Sequence, residues 1–348
     1  MTKCRRRSQG RLLIKNSLTI SVPENKKPER IDIFLSRQIG DLSRSQLKKL
    51  ITEDEVLVNG KTVRPSYLVD SGESIEVNIP APLPIKAEPE NIPLNIIYED
   101  ESLIVVNKSA GIVVHPARGN LKGTLVNALL HYSTSLSAAG DPFRPGIVHR
   151  LDKGTSGLIM IVKNDHVHST ITTMFMNREI HKEYSALVWG MMPKKKGIIS
   201  DSIGRSKNDR TKMSVVEKGK SARTEYSVDV EMDFTSLLTL RPVTGRTHQL
   251  RVHLSNLGKP IFGDHEYGGR GRMAGMVTPE RRKLAVKSLE MLPSQALHAS
   301  KLSFRHPITK KNVDFEAPLP ENFQSVLELF EIDDYLAKND TSGKGKND

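Results

Sequence analysis

Asp152 stands between two cations, Arg150 and Lys153, in the segment Pro145-Gly-Ile-Val-His-Arg-Leu-Asp-Lys-Gly-Thr-Ser-Gly-Leu158. A carboxylate kept ionised by neighbouring positive charge can act as a nucleophile or as a general base. Ile147 and Val148 run into the acid, Gly154 and Gly157 break the chain after it, and Leu158-Ile-Met-Ile-Val162 leaves as a second apolar run. The pattern predicts a tight loop between two buried strands. Taken alone, the segment also fits an ordinary charged turn.

Two further segments carry residues that could share a site with Asp152. In Ile180-His-Lys-Glu-Tyr-Ser-Ala-Leu-Val-Trp-Gly190, Tyr184 sits near the start of a strand, where a core tyrosine is the plain alternative. In Arg241 to Gly258 the pattern is strand, turn at Gly245, then a helix capped by Thr247 and stopped by Gly258, which leaves Arg246 in the turn, free to project across a cleft. There is no Walker-type phosphate loop, no dinucleotide fingerprint and no His-Glu-x-x-His pair. His248 and His253 are five apart and do not share a helical face, so no metal site and no cofactor are expected.

The elements that must hold these residues follow from composition and punctuation. The 348 residues suit two domains. A formal charge of +12 favours a polyanionic partner. Basic residues concentrate in two runs: nine Lys/Arg against two acids from Met1 to Arg30, and a second run from Lys194 to Lys212. A single cysteine, Cys4, excludes a disulfide framework. No apolar stretch is long enough for a membrane span, so the expectation is a cytoplasmic protein, read as a monomer for want of an exposed apolar stripe.

Residues 80–93 carry five prolines and mark an interdomain linker. Before it, residues 30–79 read as two short helices, the second capped by Ser43, followed by a small sheet with an Asn59-Gly60 hairpin. After it, residues 94–330 alternate strand-like runs, among them Gly111–Val114 and Ile147–Val148, with helical patterns, which makes an α+β domain on a large, mainly antiparallel mixed sheet. Residues 1–29 read as a basic flexible segment and 331–348 as a disordered tail.

Residues 30–79 resemble the S4 RNA-binding domain through Arg30, Asp32, the Ser43-Arg-Ser-Gln-Leu-Lys-Lys-Leu-Ile51 helix and the Val58-Asn-Gly-Lys61 hairpin. The resemblance implies binding to structured RNA with Arg44, Lys48, Lys49 and Lys61 on phosphates. Beyond the linker, five motifs occur in order: His149-Arg-Leu-Asp-Lys-Gly-Thr-Ser-Gly157, Lys182-Glu-Tyr-Ser-Ala-Leu-Val188, Gly245-Arg-Thr-His-Gln-Leu-Arg-Val-His-Leu254, Gly263-Asp-x-x-Tyr-Gly268 and Leu297-His-Ala. Together they resemble the RluA-type pseudouridine synthases, and with the S4 module most closely the group that modifies large-subunit ribosomal RNA. The resemblance implies an isomerase that turns uridine into pseudouridine, with Asp152 as the catalytic aspartate, Arg246 paired to it, Tyr184 stacked on the uracil and Arg150 filling the space the flipped base leaves.

That reaction breaks an N–C glycosidic bond and forms a C–C bond to the same base without redox change. Asp152 could attack the sugar, attack the ring, or take a sugar proton, and the residues do not choose among the three. Two alternatives stay open: a non-catalytic RNA-binding or ribosome-assembly factor, and an enzyme acting on transfer RNA. Gly154 stands where the family often has an acid, and Leu250 where isoleucine is common; the first raises the expectation of a looser loop after Asp152.

Overall fold

In the computed structural model, residues 14–342 are described, except 40, 41, 43, 81–86, 118, 134, 140–143 and 210. The expected cap Ser43, linker residues 81–86 and both chain ends therefore lie outside the described residues. The chain divides into two compact units, Met1–Pro84 and Ile85–Asp348.

In the first unit, β1 (Ile14–Ser21) and β2 (Glu29–Arg30) precede α1 (Ile31–Gln38) and α2 (Arg44–Thr52); β3 (Val56–Val58), β4 (Lys61–Thr62), β5 (Leu68–Val69) and β6 (Ser74–Pro80) follow. The sheet order is β1-β6-β3-β4, with β2 paired to β5 alongside. Asn59 and Gly60 both have positive φ, 49° and 75°, as a two-residue turn between β3 and β4 requires. Leu47, Leu50 and Ile51 of α2 pack with Ile31, Phe34 and Leu35 of α1 over Val56, Val58, Ile75 and Val77. The flexible segment expected through residue 29 is corrected from Ile14 onward, since β1 lies antiparallel along β6. Its hydrogen bonds come from a strand some 60 residues away, and no local pattern announces such a partner.

The second unit contains β7 (Ile96–Glu99), β8 (Leu103–Lys108), α3 (Leu125–Tyr132), β9 (Ser156–Val162), α4 (Asp165–Met176), β10 (His181–Trp189), β11 (Lys196–Arg205), β12 (Met213–Val215), β13 (Lys220–Met232) and β14 (Thr235–Pro242). It continues with α5 (Gln249–Asn256), α6 (Gly271–Ala274), α7 (Pro279–Met291), β15 (Leu297–Arg305), β16 (Asn312–Glu316) and α8 (Glu321–Ser342). One ten-stranded sheet runs in the order β12-β11-β13-β14-β10-β15-β9-β8-β7, with β16 beside β15. Its pairs are antiparallel except β15 with β9, so the sheet is mixed and mainly antiparallel, as the sequence led one to expect. Both faces of the central strands are covered. Leu103, Val105, Leu158, Met160 and Val162 enter the layer beneath α4, while Ile104, Val106, Ile159 and Ile161 point into the larger core on the other face. This explains why β8 and β9 read as unbroken apolar runs and not as alternating ones.

Three expectations change here. Gly111–Val114 is not a strand: the carbonyls of Val113 and Val114 accept from Leu125 N and Val126 N, two of the unpaired donors of the first turn of α3. Ile147–Val148 forms only one isolated bridge, to Ile161, so the Asp152 segment is a long loop entering one strand and not a turn between two. The tail expected to be disordered from residue 331 is helical in backbone to Ser342, because Phe323, Val326, Leu327 and Phe330 seat the first half of α8 on the core and the helix propagates from there. No helix among the described residues is long and apolar enough to cross a membrane.

Candidate active site

The Asp152 loop is pinned on both sides of the acid. Before it, His149 Nε2 accepts from Met160 N at 2.9 Å. Burial, with Lys182 nearby, pushes that imidazole down to about 3, which keeps it a neutral acceptor. Behind it, Lys108 at the end of β8 is buried, its ammonium 2.8 Å from the Ser109 carbonyl, 2.9 Å from that of Ile112 and 3.5 Å from that of Lys153. Burial lowers Lys108 to about 7, with the charge of Asp152 working the other way. After it, Gly157 has φ +108° and lies so close to β15 that a Cβ there would sit 2.3 Å from the Ala299 carbonyl.

Gly154 has the opposite effect from the one expected. A Cβ at this position would fall 2.3 Å from the Gln295 amide oxygen and 3.0 Å from Ser294 Cβ. The missing side chain lets Gln295 lie against the loop and donate to Thr155 Oγ1 at 3.1 Å, so the loop is packed at this point and not loosened.

Asp152 lines a cleft with a cavity volume of about 110 Å³, together with Arg150, Tyr184, Arg246, His248 and Arg251. The four residues singled out from sequence for catalysis and base displacement therefore share one cleft. The expected pairing is nevertheless corrected: Arg246 is exposed and its Nε donates to the Ser221 carbonyl at 3.1 Å, whereas the cation on Asp152 is Arg251, its terminal nitrogen 3.3 Å from Oδ2. The reason lies in the start of α5. His248, in left-handed conformation at φ 55°, takes the cap position assigned to Thr247, and the buried Gln249 amide accepts from Arg246 N and Thr244 Oγ1. The first helical turn then carries His248 and Arg251, three residues apart, toward Asp152 and leaves Arg246 in the cleft lining but exposed and unpaired with the acid.

Arg251 is 6% exposed in its side chain and fully engaged. Its Nε and one terminal nitrogen form a fork on Asp264, at 2.7 and 2.9 Å; that terminal nitrogen also reaches Glu266 at 2.6 Å, and the guanidinium lies 4.7 Å from the centre of the Tyr267 ring. Burial opposes the charge, but the hydrogen bonds and charges of Asp264, Asp152 and Glu266 more than offset it, so the guanidinium is held above its ordinary value. This explains the Gly263-Asp-x-x-Tyr-Gly268 motif: Asp264 and Tyr267 set the direction of Arg251, and Arg251 sets that of Asp152. His248 Nδ1 lies 2.8 Å from the Tyr267 hydroxyl, and its Nε2 is 3.9 Å from Asp152.

Tyr184, on β10 between β14 and β15, is buried; burial first, and then the Asp152 charge, raise its phenol above the ordinary value and keep it protonated. Arg150 is exposed at the cleft and has no hydrogen bond or ion pair with any described residue, which leaves its guanidinium available to a ligand. Sequence reasoning missed Arg251, Asp264, His248 and Lys108 as site residues. Only the three-residue spacing of His248 and Arg251 on one helical turn could have pointed to the first and third.

In the first unit, Arg44 is drawn into a structural role. Arg44 and Arg30 both donate to the buried Asp32 carboxylate, at 2.9 and 3.0 Å. Burial alone would raise that carboxyl, but the two guanidinium groups hold it below its usual range. Lys49 pairs with Glu53 at 3.5 Å; Lys48 and Lys61 are exposed.

Residues 102–256 match the RNA pseudouridylate synthase family and residues 29–75 the S4 domain. A ribosomal large subunit pseudouridine synthase D of Zymomonas mobilis is 42% identical over 308 residues, 87% of this chain and 94% of its own. The protein of that name from Escherichia coli K12 is 39% identical over 318 residues, 91% of this chain and 95% of its own. Among solved structures, human RNA pseudouridylate synthase domain containing 4 superposes with a TM-score of 0.53 at 26% identity, covering 68% of this chain and 93% of that one.

Proposed function

The chain belongs to the RNA pseudouridine synthase family, with an S4 domain ahead of the catalytic domain, and from that premise we propose that it isomerises specific uridines of large-subunit ribosomal RNA, with Asp152 as its catalytic residue. The observation that carries the assignment of Asp152 is its carboxylate at the cleft, 3.3 Å from a guanidinium that is itself locked on Asp264. The choice of RNA rests on the relatives, two of which are named for the large ribosomal subunit.

The chemistry asks for one ionised carboxylate beside C1′ of the ribose. The N1–C1′ bond breaks, the uracil turns within the cleft, C5 bonds to C1′, and the C5 proton is lost while N1 gains one, so no atom or electron is left over. Arg251, 3.3 Å away, fixes the direction of Asp152 and sets a positive charge beside it throughout. Tyr184 offers the flat face against which the freed base turns; its protonated hydroxyl can donate or relay a proton but does not act as a phenolate. The target uridine must first leave its stack, at a cost of a few kcal/mol. Arg150 has no competing partner among described residues and fills the vacated place.

The test is pseudouridine mapping across total RNA from cells with and without the gene, repeated with the Asp152→Asn variant restored. Loss of specific large-subunit pseudouridines in both the deletion and the variant, with RNA binding retained by the variant, is the expected result. Modification persisting in Asp152→Asn cells removes Asp152 from the mechanism, and loss confined to transfer RNA overturns the choice of substrate.

A further inference from the structure

The catalytic cleft does not end at Arg246. A second groove, with a cavity volume of about 510 Å³, shares Gly245, Arg246 and Thr247 with it and continues between the β14–α5 turn and the hairpin of β11 and β12. Its described lining residues include four cations, Arg205, Lys218, Lys220 and Arg246, and no carboxylate. The acids nearest in sequence are not among its lining residues: Asp201 is half-buried on β11 with its charge near His253, Asp209 is 3.9 Å from Lys212, and Glu217 is exposed on the turn before β13. The basic run noted from Lys194 to Lys212 thus delivers one of its members, Arg205, to the rim of a groove that opens onto the chemistry.

Three glycines, Gly204, Gly219 and Gly245, line the groove beside Ile203 and Met213. A Cβ on Gly219 would lie 2.8 Å from the Ile203 main chain, and one on Gly204 would lie 2.7 Å from Val216 Cγ2. A side chain at either position would force these neighbours to move, and the long side chains among the lining residues are mostly basic. The hairpin is held against α5 and Tyr267 by Ile203, Ala222, Val252, Met213 and Val215, and Met213 N donates to the Tyr267 hydroxyl at 3.1 Å. The same hydroxyl meets His248, which faces Asp152. The groove is thus joined to the active site through Tyr267 as well as through the shared Gly245, Arg246 and Thr247.

A flipped uridine enters the catalytic cleft with a phosphate on each side, and those phosphates must leave by its mouth. We propose that this groove binds the phosphodiester backbone of the RNA strand flanking the target uridine, with Lys218, Lys220, Arg205 and Arg246 as phosphate partners. This rests on the reading of the chain as a pseudouridine synthase and gives Arg246 the role of an RNA contact in place of a partner for Asp152. Phosphate contacts of this kind set register and affinity and carry no base sequence.

The test uses the full chain and a large-subunit ribosomal RNA fragment that the wild type converts. Lys218→Gln/Lys220→Gln should raise the half-saturating RNA concentration about tenfold. It should also flatten the slope of log affinity against log salt by about 1.4, since each phosphate neutralised on a single strand contributes about 0.7. Lys311→Gln, which removes an exposed charge on the far turn of β15 and β16, should change neither quantity. Unchanged affinity and slope in the groove variant overturn the proposal. So does a loss found instead in Lys283→Gln/Lys287→Gln, on the basic face of α7. A wild type that converts no RNA is a different outcome, because it refutes the functional reading itself.

Discussion

Replacing Arg251 separates what that residue does for stability from what it does for Asp152. In Arg251→Met, Asp264, with a fully buried side chain, keeps only the Glu266 and Tyr267 amides, at 2.9 and 3.1 Å, and loses both guanidinium bonds. Breaking a buried pair by removing one partner costs about 3–5 kcal/mol. At about 2–4 °C per kcal/mol for a domain of this size, the melting temperature should fall by roughly 6–20 °C. The double variant Arg251→Met/Asp264→Asn removes the stranded charge while its amide oxygen can still accept from the two backbone N–H groups, so most of the lost stability should return. Activity should not return, because Asp152 still lacks its cation, and loss of such preorganised electrostatics lowers a rate by about 10²–10³. Thermal unfolding and single-turnover pseudouridine formation on saturating RNA measure the two quantities on the same samples. A double variant that recovers rate along with stability refutes the reasoning, since Arg251 would then matter only as a structural partner of Asp264.

Lys108→Met removes the donor to the Ser109 and Ile112 carbonyls and should cost about 2 kcal/mol, read as a lower melting temperature together with a lower turnover rate as the catalytic loop loosens. Its pH dependence has a definite sign. The folded pKa is lowered to about 7 from an unfolded value of about 10.4. Between these values the unfolded chain holds the extra proton, so wild-type stability relative to Lys108→Met should rise from pH 7 to pH 9.5 and should be lower again as pH falls to 7. A difference between the two proteins that stays flat over this window contradicts the burial of the ammonium. Tyr184→Phe keeps the ring, so RNA binding should stay within a few fold. If the hydroxyl relays a proton, the single-turnover rate should fall about 10²-fold or more. Equal rates for the two proteins would confine Tyr184 to stacking.

Much of this was legible in the residues, and what was not has a physical reason. The α+β class, the large mixed sheet, and Asp152, Tyr184, Arg150 and Arg246 around one cleft could all be read from apolar runs, turn residues and the order of five motifs. The strand β1 could not, because its partner is distant in sequence. The carbonyls of Val113 and Val114 serve the N-terminus of α3, which no strand-like spelling discloses. The partner of Asp152 turns on a single residue of helix phase. A Thr247 cap puts Arg246 forward as the cation for Asp152, whereas His248 in left-handed conformation begins the helix one residue later and turns Arg251 inward.

That one-residue shift gives the Gly245–Leu254 motif a different division of labour. A cation that holds a catalytic carboxylate through repeated cycles of RNA binding needs a fixed position, and Arg251 has one because Asp264, Glu266 and Tyr267 hold its fork and its face. A cation that meets RNA needs freedom, and Arg246, exposed and tied by one bond to the Ser221 carbonyl, retains it. Exchanging the two duties would leave a buried guanidinium to bind phosphate and a solvated one to hold Asp152, where water and salt would screen it. The left-handed His248 keeps them apart: on its N-terminal side the chain runs out to the groove, and on its C-terminal side α5 runs into the core. Its own ring contacts both, through the Tyr267 hydroxyl that anchors β12 and through the 3.9 Å approach to Asp152.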